Sequence, residues 1–366
     1  MAIEQPPLAA MLLAVLACAC TPEIAIDLPE TEVVYEGSQV RLHAVPELTA
    51  CNGNGPAMDA MLAYLAAESE LGPLEEPIDA YLLTPEQVDE VCYVGYLRPA
   101  ACAYTEEDPP FAVAGYLPTE HELVHTYLSA KQGGASRWSF FDEGLATVYG
   151  RDADRARPRT PIRDAIAYQT KLPLEHYPRA AHFVAYLIER FGPQATIRFV
   201  MHTASVRDDV ELATVFLASF AVSLPSTIAA YEAEAEACTV DGWQRIYDCE
   251  EPAIAWPESG TLRLEIGAPC EDSAVLGVAG MQTAQRFVVE MPTPGPVSVE
   301  LLSRVEGRAP RVRQVRCGSC EEEFVVAHDL AEGPLERAWL RPGTYVVTVD
   351  APTGQPEVGV LELRRE

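Results

Sequence analysis

His121-Glu122-Leu123-Val124-His125 sets the tightest limit on how this chain folds, because two histidines four apart share a face only on a helix, one turn apart. On that helix both imidazoles reach one cation. Glu122 points to the side of the ligand face, where it meets a water rather than the metal. Gly133-Gly134 then stops the helix and a short loop returns the chain. Eighteen residues after His125, the segment FFDEGLAT offers Glu143 from a second helix. Two histidines and one carboxylate leave the fourth position of a tetrahedral zinc site open, as in catalytic rather than structural sites. Zn2+ is therefore the expected cofactor, with His121, His125 and Glu143 as metal ligands and Glu122 as catalytic base. A local alternative stands beside this reading: Thr119-x-x-Glu122 is a capping box, in which Glu122 closes a helix N-terminus.

The pair HELVH and DEGLA resembles the gluzincin metallopeptidases, the group that includes thermolysin-like and aminopeptidase N-like enzymes. A third stretch, YPRAAHFVAYLIERFG from Tyr177 to Gly192, is similar in layout to the aminopeptidase helix that begins with a catalytic tyrosine and ends at a glycine. The resemblance covers residues 32–238. It implies a zincin-like domain that hydrolyses peptide bonds in a peptide or protein substrate, with Tyr177 donating a hydrogen bond to the tetrahedral oxyanion. The alternative for Tyr177 is packing at a helix start. Two departures accompany it. No Gly-x-Met-Glu-Asn segment precedes His121, where aminopeptidases bind the substrate amine, and Thr147 stands where thermolysin-like enzymes carry an aspartate that orients a zinc histidine.

The rest of the chain reads as α+β. EVVYEGSQVRLHAV predicts a strand pair around Gly37, AMDAMLAYLAAESELG an amphipathic helix ending at Gly72, and residues 78–83, 93–104 and 111–116 further strands. Helices are predicted over 119–132, 141–149, 178–191, 193–202, 208–221 and 226–237, with 152–174 an irregular Arg- and Pro-rich connection. Beyond Trp256 the pattern changes to short alternating runs (TLRLEI, RFVVEM, VSVELL, FVVAHDL, TYVVTVDA) between Pro and Gly turns, which predicts an all-β sandwich. LRPGTYVVTVDA resembles the small β-domains appended to secreted bacterial peptidases, which implies adhesion, substrate capture or stabilisation. The expected organisation is a signal over 1–20, a spacer over 21–31, a zincin-like metallopeptidase domain over 32–250 and a β-sandwich domain over 256–366.

The apolar run at residues 8–17 is too short to span a bilayer and ends in small residues and cysteine, the layout of an export signal. Val15-Leu16-Ala17-Cys18 resembles a bacterial lipobox, so Cys18 or Cys20 is the expected lipid carrier, giving a cell-envelope lipoprotein or secreted protein with no transmembrane helix in its mature form. Ten cysteines fit an oxidising compartment. Cys92 with Cys102 and Cys238 with Cys249 are close enough for local bridges, and Cys317-Gly-Ser-Cys320 reads as disulfide rather than zinc or redox chemistry. A net charge of -29 repels nucleic acid and anionic lipid, so neither is an expected partner. His182 and His202 read as packed histidines. The expected function is an exported zinc metallopeptidase. The alternative is a catalytically inactive zinc-binding surface lipoprotein acting as a binding module, against which Glu122 speaks, since a binder has no use for a general base.

Overall fold

The computed structural model describes residues 26–92, 99–134, 136–150, 161–235, 249, 251–267, 269–281, 283–301, 311–317, 328–329, 337–351 and 359–366. The expected signal, Cys18, Cys20, Cys238 and Cys320 lie outside the described residues.

The chain is mixed α+β. Its first part builds a five-stranded sheet from β1 (Glu32–Glu36), β2 (Val40–Ala44), β3 (Ile78–Leu82), β4 (Ala101–Tyr104) and β5 (Phe111–Ala114), in the order β1-β2-β3-β5-β4. β2, β3 and β5 run parallel, while β1 and β4 pair antiparallel at the two edges. Alternation in VRLHA and IDAYL explains the orientation: Val40, Leu42, Ala44, Ile78, Ala80 and Leu82 are buried, while Arg41, His43, Asp79 and Tyr81 face the other side. The crossover between β2 and β3 is α1 (Asn54–Ser69), whose Met58, Met61, Leu62 and Leu65 are fully buried in the main core. α2 (Pro85–Val91) follows β3. The sequence reading passed over it, although Thr84 and Gln87 form a complete capping box there.

Among the described residues seven α-helices follow: α3 (Glu120–Gln132), α4 (Ser139–Gly150), α5 (Ile162–Ile166), α6 (Tyr177–Phe191), α7 (Pro193–His202), α8 (Asp209–Phe220) and α9 (Leu224–Glu234). Leu123, Val124, Tyr127 and Leu128 of α3 join the core shared with the sheet, and Phe140, Phe141 and Leu145 of α4 and Phe183 and Leu187 of α6 extend it. α5 lies within the segment expected to be irregular, and α9 begins at Leu224 because Ser223 caps it by accepting from the Ser226 amide. Among the described residues no single helix is long and apolar enough to cross a membrane, although α8 and α9, bent by 72°, pass that test of length and composition as a pair.

The last part is all β: β6 (Ile254–Ala255), β7 (Thr261–Ile266), β8 (Val275–Gly277), β9 (Thr283–Met291), β10 (Gly295–Leu301), β11 (Arg311–Arg316), β12 (His328–Asp329), β13 (Arg337–Leu340), β14 (Gly343–Ala351) and β15 (Gly359–Arg365). They form a four-stranded sheet, β13-β10-β15-β7, and a six-stranded sheet, β12-β11-β14-β9-β6 with β8 also on β9. One apolar cluster draws on both, from Leu262, Leu264, Val299 and Leu363 of the first to Val289, Val312, Val347 and Val349 of the second.

This β region is stitched to the start of α1. Cys51 is disulfide-bonded to Cys270, and Ala50 bridges Val278. The Asn54 side chain donates to Gly277 O at 2.7 Å and accepts from Gly277 N at 2.8 Å. Val278 itself belongs to the main core. Cys92–Cys102 is bridged locally as expected, but Cys249 bonds Cys317 rather than Cys238, so sequence proximity was a poor guide there. The three disulfides among the described residues fit an oxidising compartment.

Candidate metal centre

α3 begins without the expected capping box. Thr119 makes no side-chain cap, and its Oγ1 is buried without a hydrogen-bond partner among the described residues. Glu122 is thus not engaged in closing the helix, and the local alternative fails. At the other end Gly133 and Gly134 both take positive φ (76° and 81°), and their amides return to Ser129 O, which turns the chain back into α4.

Two further glycines bring α4 close to its neighbours. A Cβ on Gly150 would fall 2.5 Å from His121 Cα, and one on Gly144 would fall 2.7 Å from Ala180 O of α6. α4 therefore lies directly against the first turn of α3 on one side and α6 on the other. Glu143, beside Gly144, is carried to the two histidines.

His121 Nε2 lies 3.1 Å from Glu143 Oε2, His125 Nε2 lies 3.3 Å from the same oxygen, and the two Nε2 atoms are 3.2 Å apart. One donor atom from each of the three residues falls within 4.8 Å of the others, the only such group among the described residues. Both histidines are buried, whereas Glu143 and Glu122 are half-buried, which leaves a route from solvent. Two imidazole nitrogens and one carboxylate oxygen are a donor set that suits zinc.

The electrostatics follow from this crowding. Burial alone would raise the Glu143 carboxyl, but the His125 and His121 imidazoles outweigh it and bring it down to about 2. Burial would lower both histidines. At His121 the hydrogen bond to Glu143 and the charges of Glu122 and Glu143 together outweigh it, and at His125 the charges of Asp142 and Glu143 with the hydrogen bonds to both do so further, raising it well above its usual value. Glu122 is raised, chiefly by burial.

Sequence reasoning missed the residue behind His125. Asp142 accepts from His125 Nδ1 at 3.1 Å, which turns Nε2 toward His121 and Glu143. Arg137 holds Asp142 in turn, with Nε 2.6 Å from Oδ1, and also donates to His125 O and Ser129 Oγ at 3.2 Å each. The aspartate not found at position 147 is thus supplied from the position before Glu143. Thr147 only bonds back to the Glu143 carbonyl. A signal was available: Asp142 is a second carboxylate directly beside Glu143 in a largely apolar helix.

Tyr177, at the first position of α6, stacks on His121 with ring centroids 5.8 Å apart and planes 7° from parallel. Burial, then the charge of Glu143, pushes its phenol far up, so it stays protonated. His182 is packed as expected, with Nδ1 2.7 Å from the Tyr231 hydroxyl. His202 instead sits exposed at the end of α7.

No protein-family model and no curated protein matches this sequence. Among solved structures, the pre-peptidase C-terminal domain of collagenase from Bacillus anthracis is similar over 32% of this chain and 99% of its own, at 11% identity and a TM-score of 0.21. Aminopeptidase A of Legionella pneumophila, solved in complex with aspartic acid, is similar over 87% of this chain and 34% of its own, at 10% identity and a TM-score of 0.30. Likenesses this faint carry no weight for the chemistry, which rests on the site itself. The His121, His125 and Glu143 group is compatible with a zinc peptidase.

Proposed function

We propose that this protein is a zinc metallopeptidase of the gluzincin type, in which His121, His125 and Glu143 hold Zn2+, Glu122 is the general base and Tyr177 steadies the oxyanion. The observation that carries this reading is the convergence of the three donor atoms within 4.8 Å, with Glu122 next to His121 on the same turn. Zinc in that position supplies a Lewis acid, which polarises a carbonyl and lowers the pKa of water to about 7. Glu122 accepts the proton of the attacking water and returns it to the leaving amine. Tyr177 donates its phenolic hydrogen where negative charge develops on the carbonyl oxygen. Its stacking on His121 and its protonated state support that role. Asp142 keeps His125 in the tautomer whose Nε2 lone pair is available.

The same proposal takes the substrate to be a peptide or protein and the β region at 256–366 to be a sandwich domain following a catalytic domain at 32–250. Export with a lipid anchor on Cys18 or Cys20 is supported by the apolar run before them and by the disulfides.

The test is turnover of a peptide found by library screening, compared at equal zinc content. Glu122→Gln should keep full zinc and lose about 10²–10⁴-fold in rate. Tyr177→Phe should keep zinc and lose about 10²-fold, the scale of one oxyanion donor. A wild type that binds one zinc yet cleaves nothing in a broad library would replace the peptidase by the binding module.

A further inference from the structure

A cavity of about 930 Å³ opens between α2, the end of β4 with the turn that follows it, and the segment before β1. Leu28, Val91 and Tyr104 of its walls pack with Tyr81 and Val113, on the face of the sheet opposite the one that carries α1 and α3. None of the residues lining it is a zinc ligand. The walls are held in place: Cys92, which closes α2, is disulfide-bonded to Cys102 of β4, and the Tyr104 hydroxyl donates to Val91 O. Leu28 anchors the third wall by packing on the cluster of Val45, Leu83, Val88 and Val113. The lining joins two chemistries. Leu28, Pro29, Val91 and Tyr104 give apolar surface, while Asp27, Glu90, Glu106 and Glu107 bring exposed carboxylates from all three walls. No lysine, arginine or histidine lines the cavity, and none of these four carboxylates makes an ion pair or a side-chain hydrogen bond among the described residues.

We propose that this cavity docks a basic peptide segment, whose arginine or lysine side chains meet the acidic walls while apolar side chains between them lie on Leu28, Val91 and Tyr104. The charge is complementary and its layout selects the occupant. A single amine answers one wall, whereas carboxylates on three separate walls call for several cations spaced along one chain. Each exposed pair contributes little by itself, so affinity needs several of them together with the apolar contact. The walls stand ready for it, because the disulfide and the Tyr104 bond fix α2 against β4 before anything binds. Docking here goes beyond the peptidase reading and does not require zinc. Under that reading, the cavity directs the enzyme to basic substrates.

The experiment titrates the full chain into a fluorescently labelled peptide of alternating leucine and arginine and follows its anisotropy, with a zinc chelator present so that nothing is cleaved. Binding should weaken as salt rises. Citrulline in place of arginine, which keeps the shape and removes the charge, should lower affinity at least 10-fold, and serine in place of leucine about 10-fold. Glu106→Gln with Glu107→Gln should weaken the peptide about 3–10-fold, and adding Asp27→Asn and Glu90→Gln should weaken it further. Glu258→Gln with Glu271→Gln makes the same change of charge at exposed positions outside the cavity and should leave affinity as it is. Equal losses from the two pairs would mean general attraction to an acidic chain and would overturn the proposal. Spermine that displaces the peptide at equal concentration would also overturn it, by making a free amine the occupant. A failed titration leaves the metal centre standing, and a chain that binds no zinc leaves this cavity standing.

Discussion

Replacing Asp142 by alanine removes two partners at once, and the structure sets the size of each loss. Arg137 has a side chain only 1% exposed, and its shortest contact is the 2.6 Å bond to Asp142. Stripping one member of a buried ion pair costs about 3–5 kcal/mol. Arg137 keeps Ser129 Oγ and the His125 carbonyl as acceptors, so the lower end, about 3 kcal/mol, is expected. His125 meanwhile loses the acceptor that holds its Nδ1 proton, which should weaken zinc about 10–100-fold. Asp142→Asn separates the terms. If the amide oxygen faces His125, its NH2 group meets the Arg137 Nε–H; if it is turned over, His125 must move its proton to Nε2 and forfeit its lone pair.

The assay is urea unfolding of the metal-free chain together with chelator competition for zinc. Acid supplies a second check. Burial would raise the Asp142 carboxyl, but Arg137 and His125 outweigh it and hold it well below the usual range. A depressed carboxylate contributes stability above its unfolded pKa, about 3.9, and loses it as pH falls toward the folded value. The gap between wild type and Asp142→Asn should therefore be full at neutral pH and narrow progressively below about pH 4. Asp142→Ala unfolding at the wild-type urea midpoint, with unchanged zinc affinity, would refute the reasoning.

Two other perturbations test the architecture around the site. Gly150→Ala forces a methyl group against the His121 backbone and should cost about 1–3 kcal/mol, with zinc content falling more than after Gly295→Ala, where a Cβ meets nothing within 4 Å; equal zinc in both would show that α4 does not press on α3. Converting Cys51 and Cys270 together to serine should lower stability by about 2–4 kcal/mol and slacken the β region, seen as faster amide exchange in β8; unchanged exchange would mean that Asn54 and the Ala50–Val278 bridge hold it unaided.

The ligand set was legible because its spacing is local. His121 and His125 need only one helical turn to come together, and the glycine pair before FFDEGLAT announces the reversal that returns Glu143. Alternation exposed β2, β3, β7 and β14 for the same reason, since a period of two or of 3.6 is set by residues within a few positions of one another. Helix boundaries were less legible where a distant contact decides them: α1 starts at Asn54 through the bonds of that side chain to Gly277, 223 residues away.

By itself the sequence determined most of the helices and strands, though not α2 or α5, and the identity of the converging donors, all consequences of short-range periodicity and turn chemistry. Only the tertiary structure decided that Thr119 leaves Glu122 free, that Asp142 and Arg137 stand behind His125, that Tyr177 lies over His121, and that Cys270 and Arg286 reach back to Cys51 and Glu120. Those relations join residues whose separation along the chain carries no periodic signal. They arise where packed helices and sheets bring buried charges close enough that each must find its partner.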